Sequence, residues 1–493
     1  MVLISATLIS NLLQLLFTKI MTNMLNLSDY GILSLIISFS ATISTFLLLE
    51  INSGLYRYTI EYTSQNDHVA LRNIISSAFL FEIISSCICF FVLLIMNIFE
   101  IKLFNINNYL IMVIFALLLG VSNAFYALNL AIYTAKMNNV GYTLLTIVPN
   151  LTKIIIPVIL IVFFSNNLFF ILIGIILNNY IVNITTILFI LNKYKLGKFS
   201  TIEIRRLLQY GFPIFCWTGF YFTLVFIIQS TLNNTISKEI VALFSLALSF
   251  LALLTMLKMA ISYTYLGNIL LIWDKDKRMD LISEYANIAV RIFSSLFFVL
   301  VTMFYVFSPQ IIILMSHEGY IQVLGAIPLV IMISFVRIMK SLTTVGIHAL
   351  KKQGLGAIGG FSSFIVAFLF SGHLILNFNL EGALLTLLLY EVILTFFLAF
   401  VSQRIFTIKF QIVIFYKIVI IGVLSIVFNF LLITVISPEA QILLPLIVLL
   451  LLFMMKMITI SDLRSMSENI RIIFNQIRLK LMCSNDESVT NGE

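Results

Sequence analysis

The sequence predicts an all-α integral membrane protein of about fourteen transmembrane helices: two six-helix lobes around a central cavity, plus two C-terminal helices. Three observations carry this. Of 493 residues, 61% are hydrophobic and 10% charged, where a soluble domain carries roughly 25% charged residues. Too little polar surface is left to coat a water-facing body. Mean hydropathy is +1.11, and apolar runs of about 20 residues, enough to cross a hydrocarbon core as a helix, recur along the whole chain. The basic residues gather in alternate connections, which is the pattern of membrane topology. The net charge of +8 is therefore read as a topology signal, with no nucleic-acid partner.

Taken in order, the spans are placed near 3–23, 30–49, 73–98, 109–135, 142–164, 168–191, 207–232, 239–265, 286–307, 323–347, 355–376, 382–401, 412–436 and 440–460. Residues 1–20 have the length of a signal peptide but lack its basic n-region and small-residue cleavage site, so they are read as the first span. Links such as Ser165–Asn167 and Ser437–Glu439 are too short to fold on their own. An even count puts both termini on one side. Connections on that side hold nineteen Lys and Arg, among them Arg57, Arg72, Lys136, Lys198, Arg206 and Arg404; the other side has Lys19, Lys102 and Lys238. The positive-inside rule then places both termini in the cytoplasm, for a multi-pass protein of the cell inner membrane.

The most basic connection, Asn192–Arg206, divides the chain. It separates an N-terminal lobe (1–191) from a C-terminal lobe (207–404), with the linker at 192–206, two additional helices at 405–460 and a cytoplasmic tail at 461–493. The halves echo each other: Ser34-Leu35-x-x-Ser38-Phe39 recurs as Ser245-Leu246-x-x-Ser249-Phe250, 211 residues later. Two parallel six-helix repeats are a common transporter plan. In the tail, Ile470, Ile473, Phe474, Ile477 and Leu481 recur at helical spacing among Arg471, Arg478 and Lys480, the pattern of an amphipathic helix on the lipids of the cytoplasmic leaflet.

Ionisable groups inside a span cost about 2.5–3.5 kcal/mol each at the membrane centre, so each needs a partner or a wet cavity. The fifth span sets Thr146, Asn150, Lys153 and Pro157 along one face. Pro157 cannot donate to the carbonyl of residue 153, which predicts a kink and an exposed acceptor. The tenth span aligns Arg337, Lys340, Ser341, Thr344 and His348, and the eighth offers Thr255, Lys258 and Ser262; the acids at depth are Glu82 and Glu391. One reading has these groups pair with each other and hold helices together. The other is a wet cavity lined by Lys153, Lys258, Arg337 and Lys340 for an anionic substrate, with Glu82 and Glu391 as ion-coupling candidates, since cations outnumber acids at depth. Cys87, Cys89, Cys216 and Cys483 form neither a disulfide framework nor a metal site and read as small core hydrophobes. No P-loop, HExxH or other catalytic signature is present, so no cofactor, no metal and no enzymatic activity are expected; an ion gradient, the membrane potential or the substrate's own gradient supplies the energy.

Several segments carry a family resemblance. Leu25-Asn26-Leu27-Ser28-Asp29-Tyr30-Gly31 lies between the first two spans and Gly54-Leu55-Tyr56-Arg57-Tyr58-Thr59-Ile60-Glu61 after the second. Leu207-Leu208-Gln209-Tyr210-Gly211-Phe212-Pro213 opens the seventh, the stretch Ser308–Tyr320 with Ile327-Pro328 precedes the tenth, and Asn379-Leu380-Glu381-Gly382-Ala383 precedes the twelfth. In order and spacing the chain resembles the polysaccharide biosynthesis family of lipid-linked oligosaccharide (O-antigen) flippases, within the multidrug/oligosaccharidyl-lipid/polysaccharide exporter superfamily. The resemblance implies alternating access and flipping of an undecaprenyl-diphosphate-linked sugar unit, O-antigen or another surface polysaccharide repeat, from cytoplasm to periplasm. It implies a lipid-linked oligosaccharide as partner, with the polysaccharide polymerase and chain-length machinery as candidate partners. It also implies substrate contact for Arg57. An acid that the family often carries late in the seventh helix falls at Gln229 here.

Two alternatives stay open: a cation-coupled multidrug exporter of the same superfamily, which wants a cavity rich in acids and aromatics, and a membrane-embedded glycan polymerase or transferase, which needs a catalytic carboxylate and a sizeable outward loop.

Overall fold

The structure is a computed structural model. It describes residues 2–99, 109–136, 139–164, 167–194, 197–255, 277–316, 318–350 and 352–411, and the single positions 269, 273, 417, 420, 450, 452 and 457. Lys258 and the tail helix lie outside these residues, as do the last two spans apart from 417, 420, 450, 452 and 457. The described residues form helices in the order α1 (Val2–Met24), α2 (Leu27–Leu48), α3 (Ile51–Ser64), α4 (His68–Ile98), α5 (Tyr109–Ala135), α6 (Asn139–Phe163), α7 (Leu168–Tyr194), α8 (Thr201–Thr235), α9 (Lys238–Leu254) and α10 (Met279–Met315). A 3₁₀ segment (Glu318–Ala326) follows, then α11 (Ile327–Thr343), α12 (Val345–Ala349) and α13 (Gln353–Ile405). No strand occurs among them, and nine of the helices are long and apolar enough to cross a membrane. This is an all-α, multi-pass membrane fold.

At 53 residues, α13 would run about 80 Å if straight, well over twice the ~30 Å hydrocarbon thickness. It turns back instead at Asn379, whose φ of 47° and ψ of −118° leave the helical region. A Cβ at Gly382 would collide with the carbonyl of Leu374, eight residues earlier, so the chain doubles closely on itself there. The eleventh and twelfth predicted spans are the two arms of this hairpin.

Helix α3 was not expected, because a 14-residue element is too short to span. Its burial explains it: Ile51, Leu55, Thr59 and Tyr62 are buried while Tyr56 and Arg57 are exposed, one buried, mostly apolar stripe at i, i+4, i+8 and i+11. It is set off from α2 by two successive left-handed residues, Leu49 (φ 44°) and Glu50 (φ 60°), a conformation costing roughly 1–2 kcal/mol for a residue with a Cβ. Glu50 is held by hydroxyls from two helices: Ser53 donates to its Oε2 (2.8 Å) and Thr218 of α8 to its Oε1 (3.0 Å). Gly211 of α8 packs on the same bend, where a Cβ would lie 2.5 Å from the Glu50 carbonyl oxygen.

The predicted linker is shorter than expected. Ser200 caps α8, accepting from the Glu203 N–H at 3.4 Å, so residues 201–206 are helical. The remaining strap is tied to α4: the N–H groups of Gly197, Lys198 and Ser200 donate to Ser76, Asn73 and Ser77 at 2.8, 2.8 and 3.0 Å.

One offset of 211 residues relates the halves. It carries the start of α2 (Leu27) onto that of α9 (Lys238), the start of α4 (His68) onto that of α10 (Met279), and the end of α7 (Tyr194) onto that of α13 (Ile405). It also carries the strap 198–200 onto 409–411. There the Lys409 N–H donates to Ser283 (3.1 Å) and the Gln411 N–H to Asn287 (2.8 Å), the pattern made by 198–200 on α4.

By packing, residues 1–277 and 307–407 form one unit, and 278–306 with 408–493 a second. In the first unit α2 and α9, which hold the two Ser-Leu-x-x-Ser-Phe segments, pack together. Gly31 of α2 allows this, since any Cβ there would strike the Lys238 carbonyl. Phe39 of α2 stacks on Phe226 of α8 at 4.6 Å.

Candidate functional site

Two of the predicted cations meet one of the predicted acids. Arg337 and Lys340, three residues apart on α11, present both side chains to one side, and the carboxylate they meet is Glu391 on the second arm of α13. Arg337 Nε donates to Glu391 Oε1 at 2.7 Å and Lys340 Nζ to Oε2 at 2.6 Å. Side-chain exposure is 14% for Arg337, 17% for Lys340 and 3% for Glu391, so the triad is held inside the helices. The Arg337 guanidinium also lies over the Tyr221 ring, 4.5 Å from its centroid. Tyr390 beside it donates to the Trp217 carbonyl of α8 at 2.8 Å. Two cations on one carboxylate leave the cluster a formal charge of +1, and Arg337 Nη2 is buried without a hydrogen-bond partner. The carboxylate satisfies the two cations, avoiding the several-kcal/mol penalty of a buried unpaired charge, and a cluster with this excess of positive charge can accept an anion in its place.

Lys153 sits elsewhere, in a cavity of about 180 Å³ between α5, α6 and α7 lined by Asn123, Tyr126, Asn150, Lys153, Asn179 and Asn183. Its ammonium lies over the Phe17 ring at 4.6 Å, and no carboxylate pairs with it among the described residues. The neighbouring Pro149 matters as much as Pro157. Having no N–H, it leaves the carbonyl of Leu145 without its helical donor, and the Tyr126 hydroxyl takes that place at 2.8 Å. The Pro149 carbonyl in turn accepts from Asn178 at 3.1 Å.

The other predicted residues are apart from both centres. Glu82 is fully buried on α4; Ser86 donates to its Oε1 at 3.2 Å, and Oε2 has no partner. Arg57 is exposed on α3. Gln229, standing where an acid was expected, is buried and donates to Ser245 at 3.0 Å, leaving its Oε1 unpartnered. A second polar cluster joins α3 to the start of α8: Tyr62 donates to Glu203 (2.9 Å) and accepts from Arg206 (2.6 Å). Burial, then Glu203, pushes the Tyr62 hydroxyl up to about 12.

Sequence reasoning missed Tyr221, Glu50 and the asparagines of α5 and α7. The asparagines had a signal: Asn179 and Asn183 stand four apart in a mostly apolar span, with Asn178 beside them, and a polar amide at membrane depth is costly unless it has partners. Tyr221 had none, since an aromatic in an apolar helix reads equally well as core.

The family described as polysaccharide biosynthesis protein matches residues 1–262, just over half of the chain. No curated protein matches. Among solved structures, the chain is similar to a lipid II flippase MurJ in an inward closed conformation (TM-score 0.68, 15% identity, covering 94% of this chain and 100% of that one). It is also similar to an inward-facing multidrug resistance MATE family transporter of the MOP superfamily (TM-score 0.64, 12% identity, 80% and 94%) and to the MATE multidrug transporter DinF-BH (TM-score 0.63, 14% identity, 83% and 95%). At these identities the likeness is one of fold.

Proposed function

The chain belongs to the polysaccharide biosynthesis protein family, and on that premise we propose that it is a flippase for an undecaprenyl-diphosphate-linked oligosaccharide. It moves the O-antigen or other surface repeat unit across the cytoplasmic membrane by alternating access between lobes 1–191 and 207–404, with both termini in the cytoplasm. The observation that carries the reading is the net positive Arg337–Glu391–Lys340 triad within membrane-spanning helices of a chain in this family. A diphosphate brings at least two negative charges into a region of low dielectric. It competes with Glu391 for the two cations, and the unpartnered Arg337 Nη2 offers a further donor. Charge-assisted bonds of this kind are about twice as strong as neutral ones, so a bound diphosphate recovers hydration that it loses on leaving water. Lys153 supplies a further cation from its own cavity, Arg57 on the exposed face of α3 makes first contact with the head group, and Lys258 is assigned to the substrate from the sequence alone. Glu82, with one carboxylate oxygen unpartnered, is the stronger coupling candidate, because Glu391 already serves as counter-ion.

The test is reconstitution of the purified chain in proteoliposomes holding a fluorescent undecaprenyl-diphosphate oligosaccharide. Flipping should exceed that of empty liposomes and fall at least ten-fold in Arg337→Ala without loss of protein from the vesicles. The second reading, a cation-coupled multidrug exporter, is favoured by the likeness in fold to MATE transporters. Export of a cationic dye by these vesicles, with no movement of the lipid-linked sugar, would replace the flippase reading with that one.

A further inference from the structure

The amide-lined cavity has a counterpart in the second half that makes it more than a packing fault. Tyr126 and Asn129 of α5 lie 211 residues before Arg337 and Lys340, and Tyr180 of α7 lies 211 before Glu391. This is the same offset that relates the helix ends. The pair of helices that builds an ion triad in one half therefore supplies only neutral side chains to the cavity in the other, Tyr126 among them, and the Lys153 ammonium comes from α6. Its members are fixed from behind by short bonds: Asn183 donates to the Ser122 carbonyl and hydroxyl at 2.7 and 2.9 Å, Asn150 to the Thr146 carbonyl at 2.7 Å and to Ser10 at 2.8 Å. Between the amides themselves the bonds are long, 3.4 Å from Asn179 to Asn123 and 3.4 Å from Asn129 to Asn183, at the weak end of hydrogen-bond geometry. Such amides keep their orientation and can exchange their mutual bonds for those of a guest.

A carboxamide offers one acceptor and two donors, the complement of a vicinal diol, which donates and accepts at each hydroxyl. Four amides and a tyrosine ring around about 180 Å³, more than ten times the ~10–15 Å³ that one water needs, give room on the scale of a single sugar ring. No carboxylate lines this space, and Lys153 brings an ammonium that lies against the Phe17 ring. A metal cation would meet that ammonium without an anionic ligand, whereas an anionic group would be drawn to it. We propose that this cavity is a sugar subsite that receives an acidic monosaccharide of the glycan, the amides of Asn123, Asn150, Asn179 and Asn183 taking ring hydroxyls and Lys153 the acidic group. The inference deepens the flippase reading and rests on it for the origin of the sugar.

Binding is measured on the purified full-length chain in nanodiscs by saturation-transfer NMR, with methyl glucuronoside, methyl glucoside and inorganic phosphate as probes. Methyl glucuronoside should bind at least ten-fold more tightly than either methyl glucoside or phosphate. Lys153→Gln should remove that preference, Lys153→Arg should keep it, and Asn179→Ala should weaken both sugars several-fold. Lys153→Arg guards against a folding defect, since a chain that retains the preference is folded. Phosphate bound as well as the glucuronoside would make the cavity a simple anion site and overturn the sugar assignment. Equal binding of the two sugars, no binding of either, or a preference that survives Lys153→Gln overturns it as well. Glucuronoside binding by a chain that flips no lipid-linked sugar would defeat the flippase reading and leave the subsite standing; flipping without such binding defeats the subsite alone.

Discussion

Replacing Glu391 by Gln should destabilise the protein more than any other single change in the triad. The carboxylate receives two charge-assisted bonds, 2.7 Å from Arg337 and 2.6 Å from Lys340, and is 3% exposed. Bonds to charged groups contribute about 1.5–3 kcal/mol each, and removing one partner of a buried ion pair costs about 3–5 kcal/mol. Glutamine retains an acceptor for Arg337 Nε but turns an amide NH₂ toward the Lys340 ammonium, donor against donor, and leaves two adjacent cations with no anion between them. The expected loss is about 3–5 kcal/mol, which is roughly two to four powers of ten in the unfolding equilibrium. Lys340→Met should cost less than half as much, because a neutral Arg337–Glu391 pair remains. In the triple variant Arg337→Met, Lys340→Met, Glu391→Leu, the loss should be smaller than in Glu391→Gln alone, since no buried charge is stranded. The assay is reversible unfolding of the purified chain in mixed micelles with increasing SDS, followed by tryptophan fluorescence. An unfolding midpoint for Glu391→Gln equal to the unsubstituted protein, or above that of Lys340→Met, would show that the carboxylate does not hold the two cations.

Further outcomes follow from the same geometry. Gly211→Val should accumulate poorly, because its Cβ would lie 2.5 Å from the Glu50 carbonyl oxygen, while Gly354→Ala, with nothing within 4 Å, should match the unsubstituted protein in membrane abundance. Thr218→Val removes a 3.0 Å donor to Glu50 and should cost about 1 kcal/mol in the same unfolding assay; no loss would mean that the left-handed bend holds without it. Tyr62→Phe removes the hydroxyl between Glu203 and Arg206 and should cost about 1–3 kcal/mol, with an unchanged midpoint counting against the cluster. Reporter fusions at Lys198 and at the C-terminus should read cytoplasmic and one at Asn167 periplasmic; an outward C-terminus would mean an odd number of spans.

The candidate site was legible in part. Arg337 and Lys340 were read as a pair because residues three apart on a helix share a face, and that local rule held. Their relation to Glu391 was not legible, since it joins residues 54 and 51 apart in sequence and depends on α13 turning back at Asn379. The sequence left two readings open: mutual pairing of the buried charges, or cations for substrate with the carboxylates for ion coupling. The structure makes them one electrostatic unit. The sequence reading named Pro157 and passed over Pro149, which frees the Leu145 carbonyl, and only the arrival of Tyr126 from α5 reveals the use of that acceptor.

What the sequence determined by itself is what solvent decides residue by residue: 61% hydrophobic composition and recurrent apolar runs commit the chain to helices in lipid, since a bilayer leaves backbone groups no partners except their own helix. The 211-residue offset was also there, faintly, in Ser34–Phe39 and Ser245–Phe250. Tertiary structure alone decided which polar groups meet. The same helix pair in the two halves became an ion triad in one and an amide cavity in the other. A buried polar group is stabilised only by the neighbour that packing brings to within about 3 Å, and that neighbour is set by helix crossing and chain reversal, over distances that no local pattern encodes.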